Sequence, residues 1–162
     1  MDASKQKSEL SLLIQKIRDL NLSEVDMAEL CRPCPAITWQ DFLPEFSKIN
    51  TGDGSYFILD VRSESEFAES AIPSAVNFPI FDDNERHNVG LLFKQQSEKL
   101  AEQIGSYYAL QKKDAYLESA RRVAGDKKIL VHCWRGGYRS KAVTALLNRN
   151  GFEAYRLDGG HK

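Results

Sequence analysis

Residues 127 to 151, KKILVHCWRGGYRSKAVTALLNRNG, constrain the fold more than any other part of the chain. An unbroken apolar run, Ile129 to Val131, leads to a cysteine, and two glycines follow. Apolar residues then recur at the spacing of an amphipathic helix until Gly151 stops it. A short apolar run feeding a helix in this way reads as a strand buried on both faces, which belongs in a parallel sheet. The rest of the chain repeats the alternation. TWQDFLPEF (38–46) predicts a helix begun by Thr38, SYFILDV (55–61) a buried strand, and SESEFAES (63–70) a helix capped by Ser63. IPSAVNFPI (72–80) reads as a short strand bracketed by prolines, residues 82–126 as two helices, and FEAYRL (152–157) as a last strand. The expected architecture is α/β, a parallel sheet flanked by helices on both faces. Ligands of such sheets bind at the carboxyl ends of strands, where Cys133 lies.

The first 36 residues follow a different pattern. KQKSELSLLIQKIRDL places Leu10, Leu13, Ile14, Ile17 and Leu20 on one helical face. Ser23 and Asp26 have the spacing of a capping box, predicting a second short helix to about Leu30. The two prolines of CRPCPAI then mark a boundary. Residues 1–36 are therefore expected to form a helical extension packed on its own domain, and residues 37–162 the domain itself. A chain of 162 residues has room for one core. No apolar run approaches the ~20 residues of a membrane span, and MDASKQKSEL is polar with no apolar block behind it, so a cytoplasmic protein without membrane partners is expected. Three cysteines make no disulfide framework. Cys31 and Cys34 form one isolated C-x-x-C, too little for a zinc site of four ligands. No metal is expected.

Charge is distributed unevenly about Cys133. Residues 121–162 hold ten Lys/Arg against three acids, whereas the rest of the chain is acidic, and the net charge is −1. A positive field around a cysteine attracts anionic substrates or nucleic acid. Thiolates are favoured at helix N-termini and beside arginine. Gly136 and Gly137 allow the backbone to curl so that N–H groups point inward as an anion nest leading into the next helix. Arg135 and Arg139 add fixed charge and bidentate hydrogen bonding. Two chemistries share this loop. His132, Cys133, Arg139 and Ser140 fit the H-C-x-x-x-x-x-R-[ST] pattern of cysteine-dependent phosphatases, with Asp82, Asp83 or Glu85 as the acid in sequence reach. Alternatively, the cysteine carries sulfur or selenium as a persulfide or perselenide and hands it on.

FILDVRSESEF (57–67), AIPSAVNFP (71–79), the Cys133 loop and YRLDGGHK (155–162) occur in the order and spacing of the rhodanese domain, which the chain resembles from about Ile37 to Lys162. The resemblance implies a rhodanese-like sheet with the active cysteine at a strand-to-helix loop. It also implies that Asp60 and Arg62 support that loop, with Arg62 paired to Glu66. DDNERHNVGLLFKQQ (82–96), with CWRGGYRS and DGGHK, is similar to the N-terminal rhodanese domain of the bacterial tRNA 2-selenouridine synthases. That family replaces the sulfur of wobble 2-thiouridine with selenium from selenophosphate. The likeness implies a transferase with Cys133 as the chalcogen-carrying nucleophile. Trp134, Arg135, Gly136, Gly137, Tyr138, Arg139 and Ser140 would be its anion loop, and Asn84, Glu85, Arg86, Val89, Gly90 and Lys94 would be supporting residues near substrate. No cofactor beyond the covalent persulfide or perselenide on Cys133 is implied. The donor would be selenophosphate or a thiosulfate-like anion and the acceptor a tRNA, with Trp134 available to stack on a base. The chain departs from the family at Phe93, Ser97 and His161. It also lacks the P-loop G-x-x-x-x-G-K-[ST] of the family's second domain, which is then expected as a separate or removed partner. A general thiosulfate-type sulfurtransferase and a phosphatase are the competing readings.

Overall fold

The chain, seen in a computed structural model that describes residues 3–20, 30 and 33–162, runs α1 (Ala3–Asp19), β1 (Ala36–Ile37), α2 (Trp39–Asn50), β2 (Tyr56–Asp60), α3 (Glu64–Glu69), β3 (Val76–Asn77), α4 (Asp83–Gln95), α5 (Glu98–Ala124), β4 (Lys128–His132), α6 (Tyr138–Arg149) and β5 (Ala154–Leu157). The strands form one parallel sheet in the order β1-β5-β4-β2-β3. β1 is a strand that the sequence presented only as a proline-marked boundary. The second helix expected from Ser23, and Cys31, fall outside the described residues; Leu30 is helical and buried.

Side-chain alternation divides the core between the two faces of the sheet. Leu59 on β2 and Val131 on β4 are register partners, and both join the cluster beneath α4, α5 and α6. Their neighbours Ile58 and Leu130, also partners, point the other way, onto Phe42 of α2. The helices start where their caps dictate. Thr38 Oγ1 accepts from the Asp41 N–H at 3.2 Å, and Ser97 Oγ accepts from the Leu100 N–H at 3.2 Å. Asp82 and Glu85 cap α4 reciprocally, at 2.8 and 3.0 Å.

Leu10, Leu13 and Ile17 of α1 are buried in the same cluster as Leu91 and Leu92 of α4 and Tyr108 of α5. The N-terminal helix therefore packs on its own domain, against the α4–α5 hairpin inserted between β3 and β4. Among the described residues no helix is long and apolar enough to cross a membrane.

Candidate active site

Cys133 follows β4 in the middle of the sheet. From β2 the chain moves to β3 on one side, and from β4 to β5 on the other, so the crevice between β2 and β4 is where connections diverge. The Val61 N–H donates to the His132 carbonyl at 3.0 Å and ties the two outgoing loops together at their base.

The thiol is nearly enclosed, at 3% exposure. Its Sγ donates to Ser140 Oγ at 3.2 Å, and the Ser140 hydroxyl reaches the Gly137 carbonyl at 3.2 Å. Among the described residues the N–H groups of Trp134, Arg135, Gly136 and Gly137 donate to no protein acceptor, and α6 begins at Tyr138 directly after them. Free amides and a helix N-terminus in the turn that carries the sulfur are the elements of an anion site.

Close backbone approach shapes this loop. Gly136 has φ +63°, and a Cβ there would lie 2.6 Å from the Leu157 carbonyl oxygen. Gly160 has φ +66°, and its Cβ would fall onto Gly136 N and Cys133 O. Only glycine serves at either position. The tail then bonds to the loop: the His161 N–H donates to Cys133 O at 2.9 Å and the Lys162 N–H to Trp134 O at 3.1 Å. The Arg156 guanidinium donates to the Gly136 carbonyl from below.

The arginines are arranged differently from expectation. Arg62 does not pair with Glu66. It grips Asp60, Nε to Oδ1 at 3.0 Å and Nη2 to Oδ2 at 2.7 Å, with both side chains fully buried, and donates to the Ser70 carbonyl at 2.6 Å. Glu66 instead receives Arg139 through both oxygens, at 2.6 and 3.0 Å, and Arg86 at 3.2 Å. Burial works against the Glu66 charge, but Arg139, the Ser63 N–H and Arg86 overcome it and hold the pKa at about 2. Arg139 is thus already committed to a carboxylate and is not a free anion ligand.

His132 is fully buried beside Asp60, with Nε2 at 3.6 Å from Oδ2 and neither ring nitrogen hydrogen-bonded. Burial lowers its pKa to about 4, so the ring is neutral at physiological pH. It stacks on His161, whose Nε2 lies 2.8 Å from Ser70 Oγ and whose ring also meets Trp134.

A cleft of about 630 Å³ opens in front of Cys133, lined by the loop, by Glu66 and by the α4–α5 hairpin. Arg86, Val89, Gly90 and Lys94 line it. Asn84 and Glu85 do not. Asn84 faces a separate groove beside α1, and Glu85 is held by the α4 cap and an ion pair with Lys112. The acids suggested for phosphatase chemistry are occupied: Asp82 in the cap, Asp83 with Ser65 at 2.5 Å, and Glu85 with Lys112. Sequence reasoning gave Glu66 the wrong arginine, Arg62 in place of Arg139 and Arg86, and left His161 without a role. Ser63-x-x-Glu66, a capping box, and the glycine pair before His161 were the available signals.

Comparison with known proteins bears on the family and the fold. The rhodanese-like domain family matches residues 44–162. A protein of Sulfurovum sp. (strain NBC37-1) named tRNA 2-selenouridine synthase is 36% identical over 107 residues, 65% of this chain and 29% of that protein. One of the same name from Bordetella bronchiseptica is 36% identical over 121 residues, 73% of this chain and 32% of that protein. The chain therefore spans only about a third of the length of these relatives. Among solved structures, the N-terminal domain of a Clostridium difficile 630 protein named for ATP/GTP binding superposes with a TM-score of 0.68 at 31% identity, covering 78% of this chain and 92% of that domain.

Proposed function

The chain belongs to the rhodanese-like domain family, and on that premise we propose that it is a transferase carrying sulfur or selenium on Cys133. The observation that carries the reading is the site of the thiol: enclosed in the turn between β4 and α6, in a loop whose amides from Trp134 to Gly137 have no protein acceptor among the described residues, and opening on a cleft. With thiosulfate, the Cys133 thiolate attacks the outer sulfur, a new S–S bond forms, and sulfite leaves with the electrons of the bond that breaks. The loop amides stabilise the oxyanion charge during that step. No bound cofactor is needed, because the adduct is covalent.

The finer reading concerns donor and acceptor. The shared name of the relatives favours a tRNA 2-thiouridine as acceptor and a selenophosphate-type donor. To act as those longer proteins do, the chain would draw on a P-loop domain as a separate or removed partner, in keeping with the nucleotide-binding name of the Clostridium difficile relative.

Intact mass of the wild type and Cys133→Ala after incubation with thiosulfate or selenophosphate tests the carrier reading. A sulfur or selenium adduct absent from the variant is the expected result. No adduct from either donor, with release of phosphate from an aryl phosphate, would replace the reading with a phosphatase.

A further inference from the structure

The donor occupies little of the cleft. A thiosulfate or selenophosphate ion needs only the anion site of the loop, whereas about 630 Å³ is within the size range of sites for whole small molecules. The additional space is walled by Phe81, Val89, Leu91 and Ala101, so it suits a flat or apolar body. Two further lining residues are aromatic and exposed: Phe93 at 59% and Trp134 at 39%. Trp134 is held in place from behind, with the Arg62 guanidinium 5.8 Å and the His161 ring 5.7 Å from its ring.

The cations of the cleft fall into two sets. Arg86 and Arg139 share Glu66. Lys94 and Arg135 line the same cleft, are exposed, and have no acidic partner among the described residues. Glu98 and Glu102 stand at the α5 side of the cleft, where they would repel a phosphate but could accept N–H groups of a base edge. Exposed aromatic rings beside uncommitted cations are the combination that holds an unstacked base and its backbone.

We propose that this cleft seats the acceptor as one unstacked base of a single-stranded RNA, with Phe93 and Trp134 as stacking surfaces and Lys94 and Arg135 as partners of the flanking phosphates. The inference rests on the carrier reading and deepens it. Phe93 and Lys94 become determinants of acceptor specificity, brought to the thiol by the α4–α5 hairpin.

The test is fluorescence anisotropy with a short labelled single-stranded oligoribonucleotide containing 2-thiouridine. The proteins are the wild type, Phe93→Ala, Lys94→Gln, and Lys7→Gln as a charge control on the exposed side of α1. Adduct formation on Cys133 is read by mass in the same protein preparations after incubation with thiosulfate. Phe93→Ala should weaken RNA binding by about tenfold, the scale of one lost stacked base. Lys94→Gln should reduce the slope of log affinity against log salt by about 0.7, one single-strand phosphate contact. Lys7→Gln should leave the slope in place. Wild type that forms the adduct but does not bind the RNA, or Phe93→Ala and Lys94→Gln variants that bind it as wild type does, overturns the proposal and spares the carrier reading. Wild type that binds RNA with these sensitivities but forms no adduct overturns the carrier reading and supports the cleft as an RNA site.

Discussion

Glu66 takes Arg139 through both carboxylate oxygens and Arg86 through one, and its ionised form is favoured far below the ordinary carboxylate range despite burial. Because the folded pKa, about 2, lies under the usual 4.5, the stability from this charge is complete above pH 4.5 and is lost as pH falls toward 2. Glu66→Gln is expected to destabilise the protein by about 2 kcal/mol at neutral pH. The gap from wild type should narrow as denaturant titrations move from pH 4.5 toward 2; a constant gap would count against the pairing. His132 works in a higher window. Its folded pKa of about 4 against 6.5 means that its stabilising neutrality is lost as pH falls from 6.5 through 4. NMR of its ring should show no titration at pH 5.5 and a midpoint near 4. At this scale the places of the cysteine and the glycines were legible because each has a local chemical reason to stand in that order. The partner of Arg62 was not. Glu66 is the fourth residue after Arg62, the spacing of a helical ion pair, yet Arg62 precedes the Ser63 cap and is not on the helix. In extended chain, residues two apart face the same side, and Asp60 was therefore its neighbour.

The elements around the thiol depend on backbone proximity more than on side chains. Gly136→Ala would place a methyl group against the Leu157 carbonyl at a positive φ, and a cost of about 2 kcal/mol or more is expected, with loss of adduct formation. Gly90 lines the cleft from the middle of α4 with nothing near a would-be Cβ. Gly90→Ala should stabilise the protein by ~0.5–1 kcal/mol through helix propensity alone, measured by the same denaturant midpoints. The long strands were readable in advance from their apolar runs, and the helix starts from Thr38 and Ser63. β1 was hidden: two residues after a proline offer no periodicity, and it exists because β5 presents an edge to Ala36 and Ile37. Close approach of the tail to the loop was equally hidden, since positions 136 and 160 meet only once the sheet has formed.

At the scale of the whole molecule, α1 braces the cleft wall from behind. Leu13→Ala is expected to cost about 2–3 kcal/mol, lowering Tm by about 2–4 °C for each of these in a domain of this size. If α1 were a loose appendage, Tm would not move. Its amphipathic stripe announced a buried face, but the surface it meets comes from α4 and α5, nearly a hundred residues away in sequence for Tyr108, and only folding brings them together. A similar long-range connection joins the tail to the thiol. The His161 and Lys162 amides are bonded to the carbonyls of Cys133 and Trp134, so those two protons cannot exchange with deuterated solvent unless the loop parts from the tail. Their exchange rates form a built-in clock of loop opening, one that should slow when cargo arrives on the sulfur and resume its pace when the cargo departs.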